Sequence, residues 1–271
     1  MRLGFVVDRQ MGDIQRTFEW AQKNGFEGLE LMSAPGSIAD PEKVQGAELR
    51  SLAKKYDQKL ELDFWQNLLD PDAEKRKIVI GRMKKVVELA ASSDVEVIVG
   101  SCGKFSNKLE ENYAKYSEVY PEVADFASSQ GIKIAFEIYP GFNFAHAPST
   151  WKKLFDLVPS RALGINLDPS HLIWQFIDYL QAVRDYSDRI YSVHAKDTEI
   201  IRGRLSREGI LGNDWWRYRV PGWGEVNWHS LISALIEVKY GGMLFVENED
   251  PLFGFEEGIL KGYSYLKDLV R

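Results

Sequence analysis

Cysteine occurs once in the 271 residues, at Cys102. No intrachain disulfide can form, the lack of thiolate ligands argues against a structural zinc, and cytoplasmic residence is the default expectation. No apolar run approaches the ~20 residues of a membrane span. The N-terminal MRLGFVVDRQMGD meets an acidic residue at Asp8, too soon for a signal peptide. Positive charge is not in excess: the formal net charge is −6, so neither nucleic acid nor a membrane is an expected partner. Linkers and low-complexity tracts are lacking, which leaves one domain over 1–271. No G-x-G-x-x-G follows the first apolar run, where the chain reads VVDRQMGD. That weakens an open, doubly wound sheet as the architecture.

What is present is a repeat of short apolar runs and longer amphipathic stretches. The runs are LGFVVD (3–8), GFEGLELM (25–32), KLELDFW (59–65), VEVIVG (95–100), KIAFEIYP (133–140), GINLDPSH (164–171), IYSVHAKD (190–197) and MLFVENED (243–250). Each is short and rich in apolar or β-branched residues, as a buried parallel strand should be. Helical spacing fills the stretches 11–24, 41–57, 70–92, 109–130, 149–158, 178–189, 228–240 and 255–271. In 70–92, Asp-Pro-Asp opens the helix and Ile78, Met83, Val86, Val87 and Leu89 mark one side. Gly25, Gly131 and Gly241 stand where helix C-caps are expected. Eight strand–helix units in 271 residues predict an α/β chain folded as a single (β/α)8 TIM barrel. The long stretch 198–227, rich in Arg, Trp and Gly, reads as a lid insertion, with Trp215, Trp216 and Trp223 either covering the mouth or packing the loop.

Active sites of such barrels form at the C-terminal ends of the strands. Four consecutive runs end in an ionisable residue: Glu137, Asp168, His194 and Glu247. Each alone reads equally as a salt-bridge partner, a turn residue or a core histidine. Together they place three carboxylates and an imidazole at the same point of four strands. Converging carboxylates repel, and a divalent cation removes the conflict. Carboxylate oxygens with one imidazole suit Mn, Mg, Co or Fe, and also Zn. Lys196 and Asp197 follow His194; they read as substrate contacts or as a mutual ion pair. Trp65 reads as a pocket wall and Glu30 as a substrate contact, with core and rim as the rival readings. His146 and His229 read as structural.

The motifs FEIYPG, NLDPSHL, VHAKD, RVPGWGEVNW and FVENED, in that order, resemble the xylose isomerase-like barrel superfamily. Within it, the chain is similar to the sugar (phosphate) isomerase/epimerase group, which includes tagatose/psicose 3-epimerases and inositol-catabolism enzymes. The resemblance implies one divalent metal ion, manganese first, on Glu137, Asp168, His194 and Glu247. It implies that Glu137 and Glu247 are also the catalytic acid/base pair and that His171 hydrogen-bonds substrate oxygens. It implies that an arginine before the Pro-Gly turn grips hydroxyls or a phosphate; Arg219 fits best, with Arg217 the competitor. The chain departs from the group in the extra residues between VHAKD and RYRVPG, and in the lack of an acid within IYPGFNFAHAP. A homo-oligomer is compatible with the resemblance, although no interface is legible.

The chemistry expected is proton transfer next to the carbonyl of a small-molecule sugar or keto-sugar, through a metal-stabilised enediolate. Return of the proton to the other face is epimerisation; return to the neighbouring carbon is aldose–ketose isomerisation. Loss of a β-hydroxyl instead gives a dehydratase or lyase, on a keto-sugar, inosose or keto-glycoside, and this is the main alternative. An endonuclease IV-like nuclease on the same barrel needs a histidine-rich, multi-metal site, and this chain has four histidines. A metal-dependent hydrolase barrel usually shows His-x-His on the first strand, which here reads LGFVVD.

Overall fold

The computed structural model describes residues 1–270. Along them run β1 (Arg2–Val6), a 3-10 turn (Arg9–Met11), α1 (Ile14–Lys23), β2 (Gly28–Met32), α2 (Gly46–Tyr56), β3 (Lys59–Phe64), α3 (Ala73–Ser92), β4 (Val97–Gly100), α4 (Leu109–Ser129) and β5 (Lys133–Glu137). They are followed by α5 (Pro148–Leu157), β6 (Leu163–Leu167), α6 (Pro169–Ile173), α7 (Tyr179–Asp185), β7 (Ile190–Ala195), β8 (Asp197–Ile200), α8 (Arg202–Glu208), β9 (Trp216–Arg219), α9 (Trp228–Glu237), β10 (Met243–Val246) and α10 (Phe255–Leu266). Eight strands close into a barrel in the order β1-β10-β7-β6-β5-β4-β3-β2. Every pairing in it is parallel. The eight apolar runs are these eight strands. The helix read as 255–271 is observed to Leu266, and its last residue, Arg271, lies outside the described residues.

Side-chain alternation decides what faces where. On β2 and β3, Glu30 is paired with Glu61 and Leu31 with Leu62. Leu29, Leu31, Leu60 and Leu62 are buried in the main core, the one that α3's Met83, Val86 and Val87 also share. The alternate positions, Glu30 and Asp63, face the barrel's interior and line its cavity. The helix starts are set by side-chain caps. Asp72 accepts from the backbone N–H of Glu74 and Lys75 at 2.9 and 3.1 Å, and Asp13 does the same for Arg16 at 2.9 Å.

Three details depart from the sequence reading. Ile78 is 54% exposed rather than on the buried side of α3. The sixth unit carries two short helices, α6 and α7, in place of one. The third concerns the C-caps. Gly25 (φ +81°) and Gly131 (φ +73°) do end α1 and α4 in the left-handed region, but at the end of α9 that position is taken by Lys239 (φ +58°), not Gly241. The closing bonds, Lys239 N–H to Ile236 and Tyr240 N–H to Leu235, both 2.9 Å, repeat those at Gly25 and Gly131. A side chain in this conformation costs about 1–2 kcal/mol. Lys239→Gly is therefore expected to raise the melting temperature by about 2–4 °C; an unchanged or lower midpoint in a calorimetric scan would refute the strain.

The stretch 198–227 is ordered structure. β8 and β9 form an antiparallel hairpin in the register Asp197↔Arg219, Thr198↔Tyr218 and Glu199↔Arg217. Trp215 is buried. Trp216 stacks on Trp174 with centroids 4.6 Å apart and planes 2° apart. Trp223 stays half exposed beside Phe253.

Candidate metal centre

Glu137 is the last residue of β5, Asp168 follows β6, His194 lies in β7 and Glu247 follows β10. These four strands are neighbours in the barrel, so four sequence-distant side chains meet on one arc of its C-terminal mouth. One ligand atom from each lies within 4.8 Å of every other. Asp168 also caps α6, accepting the Ser170 N–H through Oδ1 at 2.8 Å, which turns Oδ2 into the site.

The donor atoms fit a divalent ion. Asp168 Oδ2, His194 Nδ1 and Glu247 Oε2 are buried with no well-directed hydrogen bond; charge contacts from Lys196 and His171 offset the two oxygens in part, and a shared cation would satisfy all three. His194 Nδ1 lies 3.0 Å from Glu247 Oε2 and 3.4 Å from Glu137 Oε2. Its other nitrogen, Nε2, is 3.0 Å from Glu30 Oε2. Although burial opposes it, Glu30, Glu137 and Glu247 favour the protonated imidazole; the Nε2–H bond to Glu30 fixes the ring so that Nδ1 faces the site, where a metal ion would take the place of its proton. Glu30 thus orients His194 from below; the sequence singled it out only as a substrate or core residue. Three carboxylates and one imidazole are hard-to-borderline donors suited to first-row divalent ions.

Two further residues named from the sequence join the set. His171 Nε2 is 2.8 Å from Glu137 Oε1 and 3.2 Å from Asp168 Oδ2. Its Nδ1 is 2.8 Å from the Tyr218 hydroxyl. Lys196 is fully buried and surrounded by acids: Nζ lies 2.8 Å from Glu249, 2.9 Å from Glu247 and 3.2 Å from Asp168. Burial opposes ionisation of Glu137, but His194, His171 and Lys196 hold its carboxyl well below the usual range. Burial likewise opposes ionisation of Glu247, and Lys196 and His194 bring it down to about 2. Beneath them the balance reverses. Burial, then repulsion from Glu30, pushes Glu61 and Asp63 well above ordinary carboxyls.

Two named residues are not brought to the site. Asp197 is held in the wall, accepting from the backbone N–H of Thr198, Gly222 and Val226 and from Trp228 Nε1 at 2.8–3.0 Å. It does not pair with Lys196 either. Arg219 is locked between Asp250 at 2.7 Å and Glu199 at 2.6 Å, and Arg217 also pairs with Glu199, at 2.8 Å. The physical reason is strand alternation: on β8 and β9, Asp197, Arg219, Glu199 and Arg217 share the face away from the cavity, and Tyr218 takes the face toward it.

The cavity above the set has a volume of about 490 Å³. Glu30, Trp65, His171, Lys196, Tyr218 and Glu249 are among its lining residues. Tyr218 and Glu249 were not singled out from the sequence. Tyr218 follows an irregular insertion, and Glu249 is one of four consecutive polar residues after β10.

A family profile described as "Xylose isomerase-like TIM barrel" matches residues 18–269. Among sequence relatives, Bacillus subtilis (strain 168) YfiH, an uncharacterized protein, is 27% identical across 100% of this chain and 99% of its own. An inosose dehydratase of Clostridium perfringens is 26% identical over 168 residues, 59% of this chain and 55% of that enzyme; the chain thus spans just over half of its length. Among solved structures, a D-tagatose 3-epimerase-like protein superposes with a TM-score of 0.78 at 21% identity, covering 100% of this chain and 97% of that one. The IOLI protein with a binding zinc atom superposes with a TM-score of 0.79 at 20% identity, covering 100% and 98%. With the profile spanning nearly its whole length and its eight strands closed into a parallel barrel, the chain belongs to the xylose isomerase-like TIM barrel family.

Proposed function

We propose that the chain is a divalent-metal-dependent sugar isomerase or epimerase that moves a proton on the carbon next to a carbonyl. The observation that carries the reading is the convergence of Glu137, Asp168, His194 and Glu247 at a cavity, with buried donor atoms that lack a well-directed hydrogen bond. The fold neighbours named for tagatose 3-epimerase likeness and for bound zinc support it. We assign the metal to those four residues, with manganese first among Mn, Mg, Co, Fe and Zn. A divalent ion held there would draw charge from the carbonyl and its neighbouring hydroxyl, which makes the adjacent C–H more acidic.

The protein's own groups do the rest. Glu137, buried, and Glu247, half-buried, are held ionised 3.4 and 3.0 Å from His194 Nδ1; we assign one to take a proton and the other to return one. His171 is held between Glu137 and the Tyr218 hydroxyl; a sugar hydroxyl that displaces either partner would meet the imidazole or the Tyr218 O–H. Lys196 is a fixed positive charge beside the developing negative one. Substrate hydroxyls that draw Lys196 and His171 off the carboxylates would make both better bases. The hairpin β8–β9 closes one side of the barrel domain through Tyr218.

A dehydratase reading rests on the likeness to inosose dehydratases; it shares the first proton removal and differs in the loss of a β-hydroxyl. A nuclease needs several metals, and among the described residues one metal-compatible set is found. Elemental mass spectrometry of the purified protein should find about one divalent ion per chain, lost in Asp168→Ala. Keto-sugars should then take up deuterium from heavy water in the presence of the loaded protein. Two or three ions per chain, or none after soaking with Mn, Co and Mg, would overturn the assignment.

A further inference from the structure

The cavity's charge and shape say what kind of sugar it takes. Its basic lining residues are the buried His171, His194 and Lys196, and Lys196 is already matched by Glu247, Glu249, Asp168 and Glu137 within 3.9 Å. The two arginines closest in sequence to the site, Arg217 and Arg219, are committed to Glu199 and Asp250 on the far face of the hairpin. Arg9 lines a separate, adjoining recess of about 190 Å³. Toward the rim the ionisable lining residues are Asp8 and the half-exposed Glu249. Within the cavity's own lining a phosphate would meet the carboxylates of Asp8 and Glu249 and no lysine or arginine free of an acidic partner, an arrangement that disfavours anions.

Much of the remaining lining is apolar: Val7, Met32, Trp65, Phe142 and Phe255. Trp65 and Phe142 meet edge to face with centroids 5.9 Å apart, and Tyr139 stands 6.1 Å from Phe142. Phe142 is 56% exposed although its ring borders the cavity. An aromatic shelf with an open face gains from a flat apolar group laid on it. The volume of about 490 Å³ lies in the range of roughly 300–1,000 Å³ that encloses drug-sized ligands, and exceeds what a single hexose fills.

We propose that the substrate is an uncharged keto-sugar bearing an apolar substituent, seated on the Trp65–Phe142 shelf, and that phosphorylated sugars are excluded. The proposal rests on the reading of the site as one that acts on a sugar ketone. Its test compares ketohexoses in three forms: unmodified, as the terminal phosphate ester and as the terminal benzyl ether. Binding to the metal-loaded protein is measured by calorimetry, and deuterium uptake from heavy water is followed in parallel. The benzyl ether should bind roughly tenfold tighter than its parent, and the phosphate roughly a hundredfold weaker. In Phe142→Ala, a change at an exposed side chain, the benzyl advantage should disappear. Tightest binding of the phosphate, an undiminished benzyl advantage in Phe142→Ala, or no binding of any form overturns the proposal. The expected binding order without deuterium uptake upholds it and sinks the proton-transfer reading instead.

Discussion

Glu137→Gln and Glu247→Gln, each loaded with metal to the wild-type stoichiometry, are expected to lose roughly a hundredfold to ten-thousandfold in turnover. The amide keeps the size of the side chain and one oxygen donor, but it is not a base. Both carboxyls are held ionised in the fold against the cost of burial, so the substitution removes the proton acceptor and disturbs little else. The two variants should also differ from each other. If the pair works from two faces of one carbon, each variant loses interconversion, yet still exchanges deuterium into the one epimer that its remaining carboxylate reaches. Melting curves within a few degrees of wild type, together with equal metal content, separate this from a folding or binding defect. Undiminished interconversion in both variants would end the assignment of these residues as the acid/base pair.

Asp197→Ala should act on stability. The carboxylate accepts from Thr198, Gly222 and Val226 backbone N–H groups and from Trp228 Nε1, and Thr198, Val226 and Trp228 are buried. Each buried donor left unpaired costs about 1–3 kcal/mol. A total of about 3–5 kcal/mol is expected after relaxation, which lowers the melting temperature by roughly 5–10 °C. A substrate contact would behave differently: KM would rise and the midpoint would hold. Gly224→Ala tests the same knot independently, because a Cβ there would collide with Asp197 Oδ1 and the Thr198 carbonyl. A midpoint unmoved by either change would show that the knot contributes little.

Much of this was legible in residue order, and the exceptions have physical causes. The eight strands were visible because a buried parallel strand is a short apolar run, and the four residues that converge at the mouth because a charge ending such a run is conspicuous. Glu30, Glu61 and Asp63 look the same as surface charges until the barrel closes and turns the alternate face of β2 and β3 inward. Asp197 and Arg219 were placed at the mouth by their position in motifs. Each stands one residue from the position that faces it, and a one-residue step reverses the side of a strand. Lys196 and Tyr218 occupy those positions. The Tyr218–His171 contact spans 47 residues and depends on a hairpin whose irregular sequence carries no strand signal.

The closure of β1 on β10 and the span of 164 residues between Glu30 and His194 impose an order on biosynthesis. At ~5–20 residues per second, Glu30 leaves the ribosome well before the histidine it orients, and β1 before the strand that seals the barrel. The nascent N-terminal half therefore carries acids destined for burial while offering none of the four residues that converge at the mouth. That set is complete only after the last strand has been made.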